Sequence, residues 1–365
     1  MDVDKLIGWH DTHKCASVAG RYVTLDMIKP VLDALPPLFR QQEIGVSATG
    51  RVLRSIEVGD GPKRVMCWSQ MHGNESTGTK AMLDLLFWLQ GESEEVQSIR
   101  SKCTFLFLPL LNPDGAVAYT RVNAQGVDLN RDVIEMKAPE SKVLQRVLHD
   151  FDPQFCFNLH DQRTIFSVGE IPRPATLSFL APSVDVARTV TAGRMKTMEV
   201  IAAIFDGLQA LLPGQIGRYS DEFYPTATGD NFEKMGYHTV LIEAGHFVGD
   251  YQREVVRKYN FVALVLGIQA IAFPAKNLTY EHYFKIPNNS QFYLDEIHYN
   301  VVFQNEAKPM DVGVLYKEKL IDGQVIFDPH LEKIAELSAY NADVKHDVQG
   351  EEFKDGADFL NKRRK

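Results

Sequence analysis

Three polar clusters stand out because each falls where an apolar run ends. His72 and Glu75 lie three apart in Ser69-Gln70-Met71-His72-Gly73-Asn74-Glu75, directly after the short run Lys63–Trp68. A histidine and a carboxylate at that spacing on a turn can aim at one cation. Asn158-Leu159-His160-Asp161 closes the run Phe155–Leu159, and Leu241-Ile242-Glu243-Ala244-Gly245-His246 closes His238–Ile242. Two histidines and one carboxylate, with a fourth position left to water, form the ligand set of a catalytic rather than a structural zinc site. Each feature alone is weak. A His-x-x-Glu pair recurs by chance, a strand-end histidine is commonly only hydrogen-bonded, and Glu243 could serve as an ion-pair partner. Burying a carboxylate without a purpose is costly, however. Their common place at strand ends joins them.

The elements that would hold these clusters alternate along the chain. Leu25 to Phe39 reads as an amphipathic helix. Arg51 to Val58 alternates and breaks at Gly59-Asp60-Gly61-Pro62, a hairpin signal leading into Lys63–Trp68. Ser76 to Gln90 has helical spacing, with Ser76 as its cap. Thr104 to Leu111 then reads as strand, Ser141 to Asp150 as helix, Phe155 to Leu159 as strand, and Ala187 to Leu212 as mostly helix. His238 to Ile242 is a further strand, and Gln252 to Ile271 the last long helix. This order predicts an α/β fold, a mixed, largely parallel twisted sheet with helices on both faces. Ligands of such sheets gather beyond the carboxyl ends of the strands. After Phe273-Pro274-Ala275-Lys276-Asn277 the texture changes. Phe292–Leu294, Ile297–Phe303 and Val312–Tyr316 look like short strands joined by polar turns. A catalytic domain over 1–277 and a small β-rich C-terminal domain over 278–365 are expected.

Four motifs occur in a set order: His72-Gly73-Asn74-Glu75 behind an apolar strand, Leu111-Asn112-Pro113-Asp114-Gly115, Gly126-Val127-Asp128-Leu129-Asn130-Arg131, and Ile242-Glu243. Together they resemble the zinc carboxypeptidase family typified by carboxypeptidase A, over roughly residues 40 to 270. The stretch Ile44–Arg51 is similar to that family's approach to its first strand. The resemblance implies that His72, Glu75 and His160 hold one Zn2+ per chain and that Glu243 is general base and proton shuttle. It also implies that Arg121, in Tyr119-Thr120-Arg121, polarises the scissile carbonyl, and that Asn130 and Arg131 grip the substrate's terminal carboxylate. The expected activity is that of a metallocarboxypeptidase acting on peptides with a free carboxylate.

Elementary chemistry agrees with each role. Zinc lowers the pKa of a bound water toward about 7. A glutamate beside it can take the proton and return it to the leaving amine. Arginine presents a planar fork matched to a carboxylate, which lysine does not, and a fixed positive charge where oxyanion charge develops contributes several kcal/mol. The chain also departs from the family pattern. The mobile tyrosine has two counterparts, Tyr219 and Tyr224, of which Tyr224 is favoured. The specificity pocket falls near Thr226–Asn231 with its preference open. His160-Asp161-Gln162 differs from the pancreatic enzymes, and the C-terminal region is similar to the deacylase branch. A deacylase of the same fold, acting on N-acyl amino acids or cell-wall peptides, is therefore the alternative reading. His246 is expected to be structural or to support the site from behind.

Composition narrows the field. Lys and Arg number 39 against 48 Asp and Glu, a net charge of −9, which does not favour nucleic acid or an anionic membrane as partner. The basic run Asn361–Lys365 is short enough to be a solvated tail. Four cysteines show no paired spacing; Cys67, Cys103 and Cys156 sit in or beside apolar strands and read as buried thiols. No basic stretch followed by an apolar one opens the chain, and no run approaches 18 apolar residues, so neither a signal peptide nor a membrane span is expected, and a cytoplasmic location is. Gly73-Asn74-Glu75-Ser76-Thr77-Gly78-Thr79-Lys80 has the setting of a phosphate loop, but Thr79 separates Lys80 from the second glycine, against the pattern that loop needs. Retention of the whole ligand set and of Glu243 argues against a non-catalytic binding protein on the same fold.

Overall fold

A computed structural model describes residues 2–363 except 171, 276, 305 and 307. Lys276 of the expected linker and Arg364 and Lys365 of the basic run lie outside the described residues. Eight strands form the main sheet: β1 Arg40–Val46, β2 Val52–Val58, β3 Lys63–Ser69, β4 Cys103–Leu108, β5 Phe155–Asp161, β6 Leu177–Leu180, β7 Ile216–Arg218 and β8 His238–Ala244. Their spatial order is β1-β2-β4-β3-β5-β8-β6-β7. The central strands β4, β3, β5 and β8 run parallel, with antiparallel pairs at β1/β2, β2/β4 and β8/β6. The mixed, largely parallel sheet inferred from the alternation is thus what the chain forms.

Helices cover both faces because the central strands are apolar on both. Val65 and Cys67 of β3 pack with the helices Thr77–Leu89, Ala192–Leu208 and Glu254–Ala272, while Met66 and Trp68 pack with the helix Pro139–Phe151 and with Phe232. Glu254–Ala272 is long and apolar enough to cross a membrane by length and composition, against the expectation that no run would be, but 72% of its apolar window is buried inside the protein. It is a core helix. A fully buried fork ties it to the helices Val3–His13 and Thr77–Leu89: Arg257 donates from Nε and Nη2 to Asp84, both at 2.7 Å, and Asp84 also meets His10 Nε2 at 3.0 Å. Removing one partner of such a pair costs about 3–5 kcal/mol, since the other charge is left unpaired. Lys80 belongs to the same layer, with Nζ on Glu254 Oε1 at 2.6 Å, so it is not a phosphate ligand.

Several boundaries differ from the pattern reading. The first amphipathic helix stops at Asp33, where Pro36 and Pro37 follow shortly, and the Val3–His13 helix was not expected. The turn at Gly59–Pro62 does not make a hairpin: β4 inserts between β2 and β3, because a parallel neighbour arrives by crossover. Ser76 does not cap its helix through its side chain; its Oγ donates to the Arg21 carbonyl at 2.7 Å.

A second sheet contains β9 Tyr293–Phe303, β10 Met310–Ile321, β11 Gln324–Ala335, β12 Asn341–Asp347 and β13 Glu352–Phe353, in the order β11-β10-β9-β12 with β13 also on β9. The two stretches expected as separate strands in 292–303 are one strand. All four cysteines are free and buried.

Candidate active site

The strand ends converge. β5 and β8 are in parallel register with Glu243 beside His160, and Ser69, the last residue of β3, stands beside Leu159. The loop after β3 is held by Gln70, whose Nε2 donates to the carbonyls of Val23 and Gly73, both at 2.8 Å. Asn112 Nδ2 donates to the Met71 carbonyl at 3.1 Å. Gly73 is required here, because a Cβ would come within 1.9 Å of the Gly115 carbonyl carbon. His72 and Glu75 are thereby fixed on a rigid turn, and His160 on a rigid strand.

The three expected ligands point at one place. His72 Nδ1 is 2.9 Å from Glu75 Oε1, His160 Nδ1 is 2.9 Å from Glu75 Oε2, and the two Nδ1 atoms are 3.2 Å apart. One ligand atom from each lies within 4.8 Å of the others. The donor set fits zinc: two imidazole nitrogens and one carboxylate converge, and each imidazole keeps its Nε2 turned away. His72 Nε2 meets the Asp128 carboxylate at 3.0 Å and can keep its proton there, so that loss of the ring's other proton would free the Nδ1 lone pair for a metal. His160 Nε2 is buried without a hydrogen-bond partner. The backbone N–H of Asp161 donates to Glu75 Oε2 at 3.1 Å and fixes the carboxylate.

Charges within the cluster are strongly coupled. Burial disfavours charged His72, but the Glu75 carboxylate, with help from Asp128, outweighs it and raises the pKa to about 9. Burial likewise works against Glu75, yet the two histidines hold its carboxyl well below the usual range. Asp128 is also burdened by burial and is held well below its usual value by His72 and Arg121. Glu243 goes the other way: burial, and then repulsion from Glu75, push its carboxyl well above the usual value.

The remaining expected residues line one cavity of about 650 Å³ around this cluster. Arg121 follows Tyr119, which takes a left-handed conformation at the end of the short helix Pro113–Ala118. Its Nε donates to Asp128 Oδ2 at 2.9 Å, and its Nη1 stands 3.6 Å from Glu75 Oε1. Asn130 and Arg131 sit on a 3-10 turn whose first N–H groups are met by Asp128. Asn130 Oδ1 accepts from the Thr228 N–H at 3.2 Å, and Arg131 Nη1 donates to the Asn130 carbonyl at 2.8 Å. The Arg131 guanidinium lies 5.2 Å from the ring centre of Tyr224, which is half exposed. Tyr219 is packed at 5.3 Å on Phe166, and burial followed by the charge of Glu243 raises its pKa to about 12. Both candidate tyrosines therefore face the cavity, Tyr224 at the arginine end and Tyr219 nearer the base. His246 is no ligand: its Nε2 pairs with Asp343 Oδ2 at 2.9 Å and ties the strand end to β12. Pattern reading gave no role to Asp128, although it lies inside a quoted motif, nor to Arg21, Asp161, Arg253 and Glu318, which pair beside the site. An arginine in an otherwise ordinary stretch carries no such signal.

Comparison with known proteins follows this geometry. Residues 24–160 match the family model described as zinc carboxypeptidase. A probable carboxypeptidase 2 from Trichophyton verrucosum is 30% identical over 101 residues, 27% of this chain and 20% of that protein; the matched region spans about a fifth of its length. Among solved structures, the metallo-carboxypeptidase from Burkholderia cenocepacia has a TM-score of 0.53 at 16% identity, covering 68% of this chain and 70% of that one. Carboxypeptidase A from Helicoverpa armigera has a TM-score of 0.53 at 17% identity, covering 75% and 80%. At those identities the structures bear on the fold, and that fold is the carboxypeptidase one. A family model on residues 24–160, carboxypeptidase relatives matched over about a quarter of the chain, and that fold around a two-histidine, one-glutamate cluster make this chain similar to the zinc carboxypeptidases.

Proposed function

We propose that this protein is a zinc-dependent carboxypeptidase that removes C-terminal residues from peptides, with Glu243 as general base. The observation that carries the reading is the convergence of His72 Nδ1, Glu75 and His160 Nδ1 on one point, with Glu243 in register beside His160. Zinc, when bound, lowers the pKa of a water toward about 7, so that a nucleophile is available at neutral pH. Glu243 would take a proton from the attacking water and return it to the leaving amine. Burial and the neighbouring Glu75 carboxylate raise its pKa above that of an ordinary carboxylate, in the direction that strengthens it as a base. Arg121 holds its guanidinium toward the metal ligands and stabilises negative charge growing on the carbonyl oxygen. Arg131 and Asn130 grip the terminal carboxylate, and Tyr224 covers it. The carboxypeptidase names of the matched relatives favour peptides over the N-acyl amino acids of the alternative reading.

The test compares a blocked dipeptide bearing a free terminal carboxylate with its amide, on zinc-loaded protein. The acid is expected to be hydrolysed and the amide to be hydrolysed at least about tenfold more slowly, the loss of one charge-assisted contact. Equal rates would remove the exopeptidase reading.

A further inference from the structure

Different parts of the chain line the cavity around the metal ligands. Asn130, Arg131, Tyr224 and Asp230 form one group in that lining. Tyr316, Lys317 and Glu318 of β10 form another, beside Arg21 of the N-terminal segment. No hydrogen bond or ion pair among the described residues joins these two groups. The second sheet thus shares the cavity with the carboxylate grip without being part of it, which suits it to meet the acyl part of a substrate.

We propose that β10 of the C-terminal sheet closes the acyl side of the cleft and limits the enzyme to short peptides, with Arg21 donating to the acyl-side end of the bound chain. The inference rests on the carboxypeptidase reading above.

The wall is fixed rather than loosely apposed. Glu318 Oε1 accepts from Arg21 Nη2 at 2.6 Å, and Oε2 accepts from the Tyr119 hydroxyl. The Tyr316 N–H donates to buried Asp295 at 2.7 Å. His246 and the Gly249 N–H both meet Asp343 of β12, at 2.9 and 2.8 Å. These contacts clamp the second sheet to the end of β8 and to the helix that precedes Arg121.

The wall is also near. Glu75 Oε2 meets the Asp161 N–H at 3.1 Å, Asp161 Oδ2 stands 3.6 Å from Arg21 Nη1, and Arg21 Nη2 meets Glu318 at 2.6 Å. Asp161 and Arg21 alone thus stand between the Glu75 carboxylate and the Glu318 carboxylate of β10. A cavity of about 650 Å³ is of the size that encloses a small ligand, in the range of about 300–1,000 Å³.

Arg21 supplies the recognition. It is only 4% exposed, yet its Nε and Nη1 have no hydrogen-bond partner, since Asp161 approaches to ion-pair distance alone. Buried donors without acceptors are costly. A carbonyl or carboxylate oxygen at the acyl-side end of a short peptide would satisfy them.

Two readouts separate this inference from the activity. N-acetylated alanine peptides with a common C-terminal phenylalanine, lengthened one residue at a time, are titrated by calorimetry into zinc-loaded Glu243→Gln, which holds them without turnover. Wild-type hydrolysis of the same peptides is measured separately. Affinity should hold or rise over the first acyl-side residues added and fall at least about tenfold once the peptide outgrows the cavity. In the conservative variant Arg21→Lys, which keeps the charge opposite Glu318, the best-bound peptide should weaken about tenfold while the shortest changes little. A length profile on Glu243→Gln with no wild-type turnover would sink the proposed activity and leave the length limit standing. Affinity that stays level or grows with every added residue, or no binding at any length, would overturn the limit. An unchanged profile in Arg21→Lys would overturn the role of Arg21.

Discussion

Arg131→Ala should weaken substrates with a free terminal carboxylate far more than their amides. The guanidinium spends one N–H on the Asn130 carbonyl and lies on the face of Tyr224, and it makes no ion pair among the described residues. The rest of its fork is free for two parallel hydrogen bonds to a carboxylate. Hydrogen bonds to charged groups contribute about 1.5–3 kcal/mol, or about 10- to 150-fold. Arg131 is exposed at the cavity rim, so solvent screening favours the lower part of that range, about 10- to 30-fold. An amide lacks the charge and should lose no more than about threefold, the cost of a weak surface contact. The assay is kcat/KM for matched acid and amide peptides on wild type and variant, with circular dichroism confirming the fold. Equal losses on both substrates would refute the reasoning and make Arg131 a structural residue of the 3-10 turn.

Glu243→Gln should retain zinc, measured by mass spectrometry of the metal, and lose turnover by about 10² or more, the contribution of one proton shuttle; near wild-type rates would place the base elsewhere. Asp128→Asn should weaken zinc about 10- to 100-fold in competition with a chelator, because the carboxylate that fixes the His72 ring is gone; unchanged affinity would show that the ring is held by other contacts. Zinc binding should strengthen as pH rises from 6 toward 9. His72 carries its proton up to about 9, so binding at neutral pH must release it, and apparent affinity should gain about tenfold per pH unit until the raised pKa is passed. Calorimetry in buffers of different ionisation enthalpy reads the released proton, and none released at pH 7 would contradict this.

Much of the candidate site was legible because its residues sit at strand ends. His72, Glu75, His160 and Glu243 each follow an apolar run, and parallel strands bring their carboxyl ends to one edge. What periodicity could not give is contact between distant segments. Asp128 meets His72 across 56 positions, and Glu318 meets Arg21 across 297. No local pattern marks either pair. The glycine-rich turn at 59–62 misled for a related reason: turn chemistry reports a reversal, while pairing depends on which strand returns by crossover, and here β4 takes the place beside β3. In the second sheet, β10, β11 and β12 lack the sharp alternation of a half-buried strand, since much of β11 is solvent-facing, so only fragments were visible. The Val3–His13 helix was hidden by its polar start and shows itself only through the contact of His10 with buried Asp84.

The most direct test of the whole account is a titration of metal-free protein with zinc while hydrolysis of a free-acid peptide is followed. The account expects activity to rise in proportion to added zinc and to break at one equivalent per chain, with no such rise for His160→Ala under the same limiting zinc. Hydrolysis that persists in the metal-free protein, or a His160→Ala titration that coincides with wild type, would contradict it.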